Sequence, residues 1–460
     1  MRAISAIGLM ACLLSAASVT AQRPAKSAQA TATVDAGRIA GLTQDGVNRF
    51  LGIPFAKPPV GPLRWKPPVA PVPWVGVRDA SHFALPCYQK TDPDGMTANL
   101  GGVSGPSKED CLYLNVFAPA KRARPAPVMV WFFGGGNEVG GGHLPTYDGQ
   151  SFARDGVIVV TLNYRLGAAG WFGHPALSAA AGKDEPQVNY GNMDQTEALR
   201  WVKRNIKAFG GDPDNVTIFG QSAGGYGVYS QLVSPMSAGL FKKAMVHSAT
   251  YTRPMASMAE LHLRGVRKAI EWGMDGAKAT PEQLRAVPIE KLGSGIGGAI
   301  DGRFFVEPWM TSLAFKHHPK VPFVVGGNSG EGGLWARDRW IATQFAEAGT
   351  PAFQYYFSHV RASLDQSKGA IHSAELQFAW DTLGKEATAA DAAVAKSMHP
   401  CWVAFAFYAG TGDIDCGNGL RWPALTPGEH SVIEFTTNGG AVKRAFRTDE
   451  QWLRGLATDK

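Results

Sequence analysis

Residues 216–229, VTIFGQSAGGYGVY, set a serine inside the pattern Gly-x-Ser-x-Gly, directly after an apolar, β-branched run. A serine hydroxyl is a weak nucleophile at neutral pH and needs a neighbouring base, itself oriented by an acid. Glycines at 220 and 224 allow a sharp strand-to-helix turn that presents Ser222 at the carboxyl edge of a sheet. The rival reading is a glycine loop that cradles phosphate. With 55 glycines in 460 residues, the bare pattern arises by chance about 0.3 times, so its flanks decide. VTIF supplies a strand and GGYGVYSQLV (224–233) the start of a helix. No glycine stretch ends in Gly-Lys-Ser/Thr. GSGIGG (293–298) matches the dinucleotide fingerprint formally, but it follows the helical PIEKL rather than a strand, and it reads as a loop. The nucleophile reading wins.

Where a strand-turn-helix serine serves as nucleophile, its acid and then its histidine follow it in the chain. VPFVVGGNSGEGG (321–333) places Glu331 just past an apolar strand, in a glycine-rich turn. Four histidines lie beyond it: His359, His372, His399 and His430. His372 sits in GAIHSAEL, where a loop meets a helix start, and His359 lies close behind the strand-like FQYYF (353–357). Pattern favours His372 and leaves His359 open. A tetrahedral intermediate also needs backbone donors, and WFFGGGN (131–137) ends a strand in three glycines whose N–H groups can face an oxyanion.

These residues need a scaffold. APVMVWFF (126–133), VIVVTLNY (157–164), VTIF (216–219), KAMVHSA (243–249) and VPFVVGG (321–327) read as buried strands. Between the second and third, DQTEALRWVKRNIKAFGG (194–211) puts Ala198, Trp201, Val202, Ile206 and Phe209 on one helical face and closes on Gly210 and Gly211. Strand, helix, strand at this spacing predicts a parallel sheet covered on both faces. No repeat, low-complexity tract or linker interrupts residues 22–460, so one large α/β domain is expected.

The first 21 residues read as an export leader: Arg2, the apolar AISAIGLMACLLSAAS, and a small-residue cleavage site ending at Ala21. The apolar run is too short for a membrane span. A lipid-attachment reading through Cys12 is disfavoured, because apolar residues continue past it to a separate cleavage site. Loss of the leader leaves Cys87, Cys111, Cys401 and Cys416, an even number without any Cys-x-x-Cys pair. Disulfides are therefore expected and a metal site is not. Chain order suggests bridges 87–111 and 401–416 among three possible pairings. The net charge of +7 is spread without a basic run, which argues for a solvated surface rather than nucleic-acid binding.

Together these segments resemble the type-B carboxylesterase family, which includes the cholinesterases and bile-salt-stimulated lipases. FLGIPFAKPPVGPLRWKPP (50–68) and EDCLYLNVF (109–117) are similar to its two N-terminal signatures. NYRLGAAGWFG (163–173), residues 191–225, GNSGEGG (327–333) and GAIHSAEL (369–376) follow in family order. The resemblance implies an α/β-hydrolase fold with Ser222 as nucleophile, Glu331 as acid and His372 as base. It implies Gly135, Gly136 and Ala223 as oxyanion donors, and it supports the 87–111 bridge. It implies no cofactor and a small-molecule ester as partner.

Four departures stand out. Gln221 replaces the family's usual glutamate before the serine, which removes a negative charge near the histidine and lowers the attraction for cationic substrates. Phe133 and Asn137 flank the triglycine, where His or Tyr and an aromatic are common, and are expected to reshape the acyl side of the pocket. The first disulfide loop (88–110) holds no tryptophan, against a choline-ester specialist. Glu331 and His372 are only 41 positions apart (372 − 331), too few for the helical segment that normally walls the gorge, so a shortened cap and a more open site are expected. The expected function is an exported serine esterase; a long-chain lipase and a catalytically silent binding protein are the alternatives.

Overall fold

The computed structural model describes residues 28–90, 105–249, 255–426, 428–429 and 431–443. The leader reading, most of the first disulfide loop and His430 lie outside the described residues.

Thirteen strands form one sheet. In chain order they are β1 (Ala28–Val34), β2 (Gly37–Gln44), β3 (Val47–Pro54), β4 (Val77–Asp79), β5 (Tyr113–Pro119), β6 (Ala126–Phe132), β7 (Ile158–Leu162), β8 (Gly211–Gln221), β9 (Lys243–His247), β10 (Phe323–Asn328), β11 (Ala352–Phe357), β12 (Val432–Thr436) and β13 (Gly439–Lys443). Their spatial order is β1-β2-β3-β5-β7-β6-β8-β9-β10-β11-β12-β13, with β4 beside β2. From β7 to β12 every neighbour pair is parallel, and the strands outside that stretch pair antiparallel apart from β4 with β2. The fold is thus mostly parallel at its centre, as the sequence implied.

The parallel strands are apolar almost throughout because helices cover both faces. Every residue of β6, β7, β9, β10 and β11 is buried. The helices that matter to the site are α1 (Tyr190–Asn205), α2 (Ala223–Val233), α3 (Met258–Glu271), α4 (Leu334–Glu347) and α5 (Ala389–Phe407). The five residues expected on one face of α1 are all buried. The helix begins four residues before Asp194 and tightens into a 3-10 turn over Ile206–Phe209. Gly210 then ends it at φ 78°, a left-handed cap for which glycine carries no Cβ penalty.

Both expected disulfides are present, Cys87–Cys111 and Cys401–Cys416. Closing loops of 24 and 15 residues contributes roughly 2–4 kcal/mol each in the chain-entropy account. GSGIGG forms no helix and no strand. Among the described residues no helix is long and apolar enough to cross a membrane.

Candidate active site

The elbow follows from steric exclusion. β8 ends at Gln221, α2 begins at Ala223, and Ser222 between them takes φ 54° and ψ −122°. A Cβ on Gly220 would lie 2.4 Å from the Gly224 carbonyl oxygen, and one on Gly224 would lie 1.9 Å from that of Phe132. Only glycine fits at either position, so the pattern is dictated by chain packing. Ser222 N–H donates to His247 O at 3.0 Å, which pins the strained residue to the end of β9. Unusual dihedrals of this kind persist only where the surroundings over-determine them.

Glu331 stands in the turn after β10. One of its oxygens, Oε1, hydrogen-bonds His372 Nδ1 at very short range. The other, Oε2, accepts from Ser248 Oγ at 2.7 Å and from Asn328 N–H at 2.6 Å. The carboxylate is therefore fixed on both edges while the imidazole side chain stays 37% exposed. Burial opposes protonation of His372, but the hydrogen bond and charge of Glu331, joined by the charge of Glu375, outweigh it and raise the pKa above the usual histidine value.

The second imidazole nitrogen has an unforeseen neighbour. Gln221 Nε2 lies 3.1 Å from His372 Nε2 and donates to Ser373 Oγ at 2.8 Å. Gln221 is almost fully buried. No hydrogen bond joins Ser222 Oγ to His372 in this structure, so the elbow and the Glu331–His372 pair meet through the Gln221 carboxamide. Apo sites often hold such contacts loosely until substrate arrives.

The triglycine lies against the elbow. A Cβ on Gly134 would sit 3.1 Å from Ser222 Cβ, Gly135 and Gly136 have φ of 110° and 65°, and Gly136 is exposed. The N–H groups of Gly135, Gly136 and Ala223 have no acceptor among the described residues. Ala223 opens α2, whose N-terminus favours negative charge. Three free donors around one serine suit a developing oxyanion.

Of the other histidines, His359 is buried and bonded to Asp391 at 2.7 Å. His399 sits between Ala379 O and Asp155. Neither is bonded to the elbow, whereas His372 meets both Glu331 and Gln221. Phe133 corrects an expectation: it is buried and stacked on Tyr164 at 4.2 Å, part of the core rather than a pocket wall. Asn137 and Trp171 do line a cavity of about 200 Å³ beside Gly136 and Ala223. A second cavity of about 400 Å³ opens on the side of His372 and Ser373.

Sequence reasoning missed the supports beneath the dyad. Ser248 follows β9, and Asn328 ends β10. Fully buried His247 lies between Glu375 (Nδ1 to Oε1, 3.4 Å) and the Trp402 indole N–H, which donates at 3.0 Å. Asn328 Nδ2 donates to Glu375 Oε2 at 2.6 Å. Glu375 is inside GAIHSAEL and His247 inside KAMVHSA, but nothing in the spacing says that they meet. Burial pushes the Glu375 carboxyl up, yet the His247 and Asn328 contacts outweigh it and hold the pKa below the usual range. Among the described residues no cluster of His, Cys, Asp and Glu is arranged to hold a metal ion.

Comparison with known proteins matches residues 28–340 to the family described as Carboxylesterase family. Fumonisin B1 esterase of Sphingopyxis macrogoltabida is 30% identical, over 84% of this chain and 83% of that protein. Cholinesterase of Mus musculus is 30% identical over 91% and 85% of the two chains. Para-nitrobenzyl esterase of Bacillus subtilis (strain 168) is 45% identical over 66% and 63%. Among solved structures, a PNB esterase superposes with TM-score 0.80 at 27% identity, covering 93% of this chain and 99% of that one.

Proposed function

The chain belongs to the carboxylesterase family and is a carboxylic-ester hydrolase, and from that premise we propose that it works through an acyl-enzyme on Ser222. His372 takes the serine proton during attack and returns it to the leaving alcohol. Glu331 holds the Nδ1–H tautomer and stabilises the imidazolium as it forms. Gly135, Gly136 and Ala223 donate to the tetrahedral oxyanion. The observation that carries this reading is the Glu331–His372 hydrogen bond set against a strained serine with unpaired donors around it. The substrate is a small-molecule carboxylic ester. Ser222→Ala should abolish turnover of p-nitrophenyl acetate and labelling by an organophosphate while leaving the melting curve unchanged. Turnover that survives the substitution would sink the assignment.

We also read the protein as exported, because two disulfides persist outside the reducing cytoplasm. Sequencing the N-terminus of the native protein should find the first 21 residues removed; a cytoplasmic pool with four free thiols would contradict export.

A further inference from the structure

The glycine loop 293–298 matches no nucleotide fold, yet it is built closely into the site. Ala168 N–H donates to Gly293 O at 3.0 Å, and Ile296 N–H donates to Trp171 O at 3.0 Å. A Cβ on Gly295 would lie 2.9 Å from Gly167 O. Across this seam Gly295 N–H donates to Glu138 Oε1 at 3.0 Å. Glu138 stands two positions after the proposed oxyanion donor Gly136, so the glycine loop and the turn after β6 meet at one carboxylate.

Glu138 lines a neighbouring cavity of about 170 Å³ with Lys90 and Glu290, and it lines the cavity of about 200 Å³ with Gly136, Ala223, Trp171, Phe305 and Trp309. Among the described residues lining it, Glu138 alone carries a charged side chain. Burial pushes its carboxyl up, opposed by Gly295, Ser294 and the charge of Lys268. Lys268 is itself paired with Glu271 at 3.1 Å. A half-buried anion in an aromatic-walled recess is a receptor for a cation: the carboxylate supplies the charge, and the ring faces a favourable quadrupole. An uncharged guest would leave the anion without its water.

We propose that this chamber receives the acyl part of the ester, and that Glu138 selects acyl groups ending in an ammonium. The proposal rests on the serine-esterase reading above and adds the substrate class to it. The competing role for Glu138 is a purely structural tie between the two loops, and glutamine keeps that tie, because its Oε1 still accepts from Gly295.

The test compares kcat/KM for the p-nitrophenyl esters of 4-(trimethylammonio)butanoic acid and of its uncharged isostere, 5,5-dimethylhexanoic acid, with p-nitrophenyl acetate as gauge. The wild type should favour the cationic ester by about tenfold or more. Glu138→Gln should bring that ratio to about one while leaving the uncharged ester within about twofold. A wild-type ratio near one, or a parallel loss on all three esters in the variant, overturns the proposal and leaves the esterase reading standing. Failure to hydrolyse even the acetate removes the esterase reading, and this proposal falls with it.

Discussion

Replacing Gln221 with glutamate exchanges an amide donor for a carboxylate against the base at nearly constant shape. In the present arrangement the Gln221 N–H faces His372 Nε2 at 3.1 Å. It satisfies the neutral imidazole, but it opposes an imidazolium, whose own N–H would point at it. A carboxylate oxygen at the same place would attract that N–H. The Coulomb energy of two unit charges 3.1 Å apart is about 1.3 kcal/mol at a dielectric constant of 80 and about 2.7 kcal/mol at 40. Those values bracket a side chain that is 37% exposed, and about 1.4 kcal/mol corresponds to one pH unit. Glu331 and Glu375 already raise the pKa of His372, so the new charge adds in the same direction. The base works when unprotonated, hence the acid limb of kcat/KM against pH should move upward by roughly one to two units. Added salt should shrink the displacement, because the histidine is partly solvated. The assay is a pH profile of p-nitrophenyl acetate hydrolysis by wild type and Gln221→Glu at low and high ionic strength. A limb that stays in place, or moves to lower pH, would refute the reasoning.

Two further outcomes follow from groups at opposite ends of the parallel strands. Glu331→Gln keeps the size of the acid but loses the charge and the preference for the Nδ1–H tautomer; kcat at neutral pH should fall about 10³-fold or more with an intact fold, and a loss below tenfold would show that Glu331 does not orient the base. Lys243 opens β9, with Nζ donating to Tyr408 O at 3.1 Å, and burial, opposed by the charge of Asp212, lowers its pKa to about 8. Between pH 8 and about 10 the unfolded chain therefore holds a proton that the folded chain has lost, and stability rises with pH. Above about 10 the buried tyrosines 147, 164, 229 and 355, whose pKa values burial raises, reverse the trend. Urea midpoints at pH 7.5 and 9.5 should rise for the wild type and much less for Lys243→Met; equal rises would refute the assignment.

The parallel strands were legible because they are buried on both faces, so β6, β7, β10 and β11 read as mainly apolar runs with few polar interruptions. The N-terminal β1–β5 were not, because β1 to β4 are rich in small, polar or charged residues; in β1, for example, buried positions alternate with exposed ones in AQATATV. The hairpin β12–β13 carried a missed signal, Asn438 before Gly439, with Gly439 at φ 92°. In the site, Ser222 and Glu331 could be found from local sequence because a turn after a strand positions each of them. Pattern favoured His372 without excluding His359, since the difference lies in what each ring meets: Glu331 for one, Asp391 for the other. Ser248, Asn328 and Glu375 were silent for the same reason. Strand order, not spacing, brings the ends of β9 and β10 to the loop that carries the histidine.

The 41 positions between Glu331 and His372 explain why a shortened cap need not loosen the dyad. They hold α4, β11 and one 3-10 turn over Gln366–Lys368, which leaves no further long helix to roof the serine. The loops carrying acid and base are instead bonded directly to each other. Gly330 N–H donates to Ala370 O at 2.9 Å, Ala370 N–H to Ser329 Oγ at 2.8 Å, and Asn328 Nδ2 to Ile371 O at 2.8 Å. A Cβ on Gly330 would lie 2.4 Å from Lys368 O, so the seam closes only around glycine. Orientation of the imidazole is thus independent of anything above it. What a cap supplies besides orientation is exclusion of water, and here Ser222 and His372 both remain partly solvated. Electrostatic effects at the base are correspondingly screened, and Glu138, likewise partly exposed, acts through water in the same way. With little above the serine to exclude water, discrimination between esters should depend on which side chains line the chamber, Glu138 among them.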